Sequence, residues 1–223
     1  PRLSVVAEGF MNYQDIGRKD RASWRWLVKP TIALLRGLSY RHPETHLSGA
    51  FEPGVERVFA YSGRGLKAPP ERFVEIPFPK VEPISPTEPG TALVVLTGIG
   101  QWMTPEAFDR FRSAFVAWVD GLGFERVLVK RHPFYDCGGI ENLLARAEVV
   151  EDTRRLEDMA AELVCSTVIG YCSTALVVLK LMRPDLEVMD WGSDFYCEHA
   201  YHGDRSIVDV LQSAGVETVE AEL

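Results

Sequence analysis

The chain has 223 residues, 46% of them hydrophobic and 25% charged, which is enough apolar material for one large domain or for one and a half small ones. Its net charge of −8 argues against nucleic acid as a partner. No apolar run reaches the roughly 18 residues that span a bilayer. None of the four cysteines (Cys137, Cys165, Cys172 and Cys197) sits in a C-x-x-C pair, so we expect reduced thiols and a cytoplasmic protein.

Leu3 to Ala7 reads as a strand broken by Glu8-Gly9, and the chain opens on it without an initiator methionine, as a piece of a longer polypeptide does. A carboxylate just past a strand end, Glu8 or the nearby Asp15, is a candidate general base, and equally a candidate helix cap or solvated residue. Residues 21–38 read as a basic helix carrying Trp24 and Trp26, with Pro30 as a kink. Such a helix packs with a solvated face or lies on an anionic membrane surface. An Arg41-His42-Pro43 run follows in loop-like sequence, and Glu56 to Tyr61 reads as a strand. Residues 69–90 hold seven prolines and read as an extended linker, the best domain boundary in the chain.

From residue 91 strands and helices alternate, which predicts a Rossmann-like parallel sheet with flanking helices, an α/β domain over 91–223. Ala92 to Thr97 is its first strand, and Gly98-Ile-Gly-Gln101 a glycine-bearing turn. Thr104-Pro105-Glu106 starts a helix whose Phe108, Phe111, Phe115 and Trp118 form a core stripe. Val127 to Val129 is a buried strand ending in Lys130, Arg131, His132 and Pro133. Further short helices are expected over 140–146 and 153–163, strands at 149–150, 166–170 and 186–189, and a last helix over 207–214. Ser173-Thr174 opens an apolar helix that ends before Pro184.

Open α/β sheets bind ligands at the C-terminal ends of their strands. That rule draws attention to Lys130 and His132, where Pro133 restricts the backbone of His132 and so aims the imidazole. It draws equal attention to Ser173 and Thr174, whose hydroxyls and free backbone N–H groups either cap the helix or meet a phosphate there. Gly98, Gly100 and Gln101 are candidates for close backbone approach to a nucleotide, or form a tight turn. Glu151 and Glu157, with Asp152, are candidates for ribose hydroxyls, or solvate a helix start. Cys197, His199 and His202 lack the second spaced pair of a metal site and read as surface residues.

Taken in order, Glu8-Gly9 with Asn12-Tyr13, Lys130-x-His132-Pro133 and Ser173-Thr174 resemble the motifs of the bacterial sialyltransferases, most of all the capsule polysialyltransferase and lipooligosaccharide branches. The resemblance implies a GT-B glycosyltransferase whose C-terminal, nucleotide-sugar half is 91–223, with 1–68 the remnant of an acceptor-side domain. It implies inverting transfer of sialic acid from CMP-sialic acid to a glycan acceptor in capsule or surface polysaccharide synthesis. His132 would contact the donor phosphate and act as general acid, Ser173 and Thr174 would hold that phosphate, and Lys130 would lie beside it. Glu8 would be the base, although the family's usual base position, aligned on Gly9, is Ala7 here. No metal or other cofactor is implied. The basic helix 21–38 would give peripheral contact at the inner membrane. Two alternatives share the site: a CMP-Kdo-dependent transferase, and a CMP- or glycan-binding module that has lost its base.

Overall fold

The structure is a computed structural model and describes residues 3–6, 35, 50–52, 54–201 and 203–221. Glu8, Asp15, the Arg41-His42-Pro43 run, nearly all of helix 21–38 and His202 lie outside the described residues. The chain forms two compact units, Pro1–Ile76 and Pro77–Leu223.

In the first unit, β1 (Leu3–Val6), β2 (Val55–Ala60) and β3 (Phe73–Glu75) form a parallel sheet in that order. Val58 and Ala60 of β2 turn inward together, and Val55 is buried at the strand's start. Val55 and Val58 pack with Ala50 in a small core to which Val5, Leu66 and Ala68 add partly buried surface.

The second unit is a six-stranded, wholly parallel sheet, as the alternation of elements predicts. Its strands are β4 (Glu88–Val95), β5 (Arg126–Lys130), β6 (Ala147–Val149), β7 (Cys165–Gly170), β8 (Glu187–Trp191) and β9 (Glu217–Val219). The spatial order is β6-β5-β4-β7-β8-β9. From central β4 the chain runs outward on one side through β5 and β6, then returns to the other side for β7, β8 and β9. This is the doubly wound order, and its switch point lies between β4 and β7. Ala92, Leu93, Val94 and Val95 are all buried in succession, because helices cover both faces of β4.

The helices are α1 (Pro105–Gly121), α2 (Leu156–Met159), α3 (Thr174–Met182), α4 (Ser193–Tyr201) and α5 (Ser206–Ser213). Thr104 caps α1 as expected, its hydroxyl accepting the Ala107 N–H at 3.2 Å. Phe111 and Phe115 of α1 are fully buried, and Phe108 and Trp118 only partly so. Tyr171, just past β7, meets Phe111 and Phe115 edge-on, with ring centroids at 5.1 and 4.9 Å.

Several sequence expectations change. Residues 69–90 are divided between the units. Phe73–Glu75 pairs with β2, while Val81, Ile84 and Glu88 donate their N–H groups to Met182, Ala161 and Val164 of the second unit. The prolines keep this stretch extended, but its remaining amides still find acceptors. The helix expected over 140–146 is one 3-10 turn, Ile140–Asn142. That expected over 153–163 is the short α2 followed by a 3-10 turn, Ala160–Glu162. Helix α4 and strand β9 are additions. Cys197, expected at the surface, is fully buried in α4. All four cysteines are free thiols. No helix among the described residues is long and apolar enough to cross a membrane.

Candidate functional site

Sheet register fixes where the site sits. Val95 of β4 lies beside Lys130 of β5 on one side and beside Gly170 of β7 on the other, so three strands end level. Beyond these ends opens a cleft of about 640 Å³, within the second unit. Its walls include Thr97 after β4, Lys130, Arg131, His132, Tyr135 and Asp136 after β5, Glu151 to Glu157 after β6, and Ser173, Thr174 and Ala175 at the start of α3. Lys130, His132, Ser173, Thr174, Glu151 and Glu157 are thus brought together from three strand ends, β5, β6 and β7.

Lys130 is only 8% exposed. Its ammonium donates to the backbone carbonyl of Asp152, and no carboxylate reaches ion-pair distance of it among the described residues. The Asp152 carboxylate is held instead by Arg154 at 2.7 Å, and that guanidinium is the main reason its titration is depressed. Arg131, next along the chain, differs. It is half exposed and reaches Glu151 at 3.4 Å and Glu141 at 3.9 Å. Lys130 thus bonds directly only to a neutral carbonyl, with the Asp152 carboxylate near but beyond ion-pair distance, and an anion in the cleft would give it a direct charged partner.

His132 is partly buried, and burial lowers its pKa from the ordinary histidine value. The tight turn at Pro133 carries the Phe134 N–H back to donate to His132 Nδ1 at 3.1 Å. With Nδ1 occupied as acceptor, the neutral ring carries its proton on Nε2, which is then its remaining donor. Tyr135 lies against the imidazole with centroids 4.6 Å apart.

Ser173 is buried and caps α3, its hydroxyl accepting the Ala175 N–H at 3.3 Å. The turn before it is clasped from both sides. Thr97 Oγ1 donates to the Tyr171 carbonyl at 2.9 Å, and the Tyr171 hydroxyl donates back to the Thr97 carbonyl at 3.3 Å. On the far side, Cys172 adopts φ +47° and donates its N–H to Asp190 Oδ1 and Ser193 Oγ, both at 3.0 Å. The left-handed conformation costs about 1–2 kcal/mol, and the hydrogen bonds that the Cys172 N–H makes to Asp190 and Ser193 offset that cost. Asp190 is fully buried, and burial pushes its pKa up to about 7.

Gly98, Gly100 and Gln101 do not line the cleft. A Cβ at Gly98 would fall 2.2 Å from Tyr135 Cβ, and one at Gly100 would fall 3.2 Å from the Phe108 ring. These glycines make room for side chains of the protein itself. Glu151 and Glu157 do line it, Glu151 as an exposed partner of Arg131. Asp190, Cys172, Ser193 and Tyr135 were not singled out from the sequence. The signal that could have marked Asp190 is strand phase: it shares the face of the apolar Leu186 and Val188, whereas Glu187 lies on the other.

No family model matches the chain, and no curated protein matches it. Among solved structures, the chain is similar to one titled as the crystal structure analysis of the glycotransferase of kitacinnamycin, at 10% identity and a TM-score of 0.42. The match covers 97% of this chain, which spans 57% of the length of that one.

Proposed function

We propose that the cleft binds the phosphate of a CMP-sugar and that the chain is a sialyltransferase-like glycosyltransferase. The observation that carries the phosphate reading is the Lys130 ammonium, 8% exposed, lining the cleft without a carboxylate partner among the described residues. The start of α3, which lines the same cleft, adds the Thr174 N–H and the positive end of its dipole. The order of the Lys130-x-His132-Pro133 and Ser173-Thr174 motifs supports sialic acid as the sugar, carried by CMP and passed to a glycan acceptor with inversion.

In this reading the bond between the sugar's anomeric carbon and the phosphate oxygen breaks, and its electron pair stays on the phosphate. Donors already in place meet that charge without reorganising: the Lys130 ammonium, His132 Nε2–H and the Ser173 and Thr174 hydroxyls. Phosphate beside His132 raises its proton affinity, which suits it to protonate the departing CMP. The acceptor hydroxyl gives its proton to Glu8. No metal enters this scheme. The product would join a capsule or surface polysaccharide, with the basic stretch 21–38 meeting the inner membrane. CMP-Kdo presents the same leaving group, and a donor screen separates it from CMP-sialic acid. Ala7 at the family's usual base position favours a second reading, a CMP-binding module without turnover.

Calorimetric titration of CMP tests the proposal. We expect binding by the wild type that weakens in His132→Ala and Ser173→Ala, and turnover with CMP-sialic acid. Absence of binding, or binding unchanged in both variants, would remove the phosphate site. Binding without turnover of either donor would leave the module.

A further inference from the structure

Cys172 is the one non-glycine residue with positive φ among the described residues. In that region the Cβ of an L-residue crowds its following carbonyl, so the conformation persists only where something holds it. Here the holder is a buried carboxylate. Asp190 Oδ1 accepts the Cys172 N–H at 3.0 Å and the Ser193 hydroxyl at 2.7 Å, while Ser193 Oγ also accepts the same N–H. Asp190 is 1% exposed and Ser193 fully buried, and neither forms an ion pair among the described residues. A buried carboxylate without a cation is costly for the fold, and an apolar residue would suit this strand better. Its placement is explained by what it holds. Sheet register sets Asp190 beside Gly170, two residues before the turn. Ser173 and Thr174 come directly after the turn, and both line the cleft.

We propose that Asp190 is the positioning residue of the anion-binding turn: it holds Cys172 left-handed and so directs Ser173, Thr174 and the first N–H groups of α3 into the cleft. The inference rests on the reading of the cleft as a phosphate site. Asp190 touches no ligand in this role and acts through the backbone of Cys172.

The test pairs amide hydrogen exchange at Cys172 and Ala175, measured without ligand, with calorimetric titration of CMP. The proteins are the wild type, Asp190→Ala, Asp190→Asn, Ser173→Ala and the double variant Asp190→Ala/Ser173→Ala. In Asp190→Ala, exchange at both amides accelerates and CMP affinity falls about tenfold, the size of losing a hydrogen bond to a charged group. Asp190→Asn keeps a carbonyl oxygen for the Cys172 N–H and retains most of both. The double variant binds no worse than the weaker single, because both changes act through one segment. Adding Cys172→Gly to Asp190→Ala recovers part of the affinity, since glycine takes the left-handed conformation without steric cost. A purely structural role would lower the melting temperature, leave the double variant additive and give glycine no rescue, and that pattern overturns the proposal. So does unchanged exchange at Cys172 in Asp190→Ala. If that variant does not fold, Ser193→Ala takes its place: it removes one of the two acceptors, and unchanged exchange there counts against the clamp. A wild type that binds no CMP would sink the phosphate reading, and the exchange rates would still decide whether Asp190 holds the turn.

Discussion

The ends of β5 and β7 line the same cleft, but they are built by different means. β5 delivers charge outward: Lys130, Arg131 and His132 leave the strand in succession, and the turn at Pro133 sets the imidazole. The end of β7 delivers neutral donors, the Ser173 and Thr174 hydroxyls and the Thr174 amide, and the acid that braces its turn, Asp190, stands behind it on β8. In the proposed reading, the ionised group at β5 is the recognition element. Behind the β7 turn the acid is scaffolding. The two ends should therefore answer differently to pH, to salt and to mutation.

The largest expected difference lies in pH dependence and belongs to the turn after β7, through Asp190 of β8. Burial raises Asp190 to about 7 in the folded chain, above its value when unfolded. The folded state then holds the extra proton between about pH 4 and about pH 7, so this residue makes stability fall as pH rises through that window. Asp190→Asn cannot ionise. Its melting temperature should gain on the wild type from about pH 5 to about pH 8, and parallel profiles would show that Asp190 does not titrate there. At β5, Lys130→Met keeps the aliphatic stem and removes the charge. CMP affinity should drop by about 1.5–3 kcal/mol and lose part of its salt dependence. Equal affinity would mean that the buried ammonium serves the fold alone.

Smaller effects sharpen the contrast. Gly98→Ala forces a Cβ into Tyr135 and should cost about 1–3 kcal/mol in denaturant unfolding, because the neighbour it meets is the base of a side chain rather than a flexible tip. Ser173→Ala should lower stability by about 1 kcal/mol, the usual value of a helix cap, alongside its effect on CMP. Glu151→Gln alters an exposed carboxylate paired with Arg131 and should change stability by less than about 1 kcal/mol in the same unfolding assay.

Much of the site could be read from sequence because its signals are local. A β-branched run ending in Lys130-Arg-His-Pro133 marks a strand end with its cargo, and Ser173 before an apolar stretch marks a helix start. The misread pieces failed for identifiable reasons. Gly98 and Gly100 invite a ligand in sequence, but Tyr135 and Phe108, distant along the chain, fill the space they leave. Cys197 and His199 drew attention by residue type, although burial of the thiol was set by the packing of α4. Residues 69–90 looked like a linker because proline blocks regular structure, and the division between the units, after Ile76, does fall inside them. Phe73–Glu75 nevertheless joins a sheet, since a strand needs only a partner edge.

Sequence alone determined the alternation of strands and helices, and with it the parallel sheet, because hydrophobic periodicity and capping act within a few residues. It also determined which side chains stand at the ends of β5 and β7. Tertiary structure decided that those ends are level, that the switch point falls between β4 and β7, and that Asp190 stands behind Cys172. Strand register and burial are properties of neighbours brought together across the sheet, and no local pattern of residues encodes them.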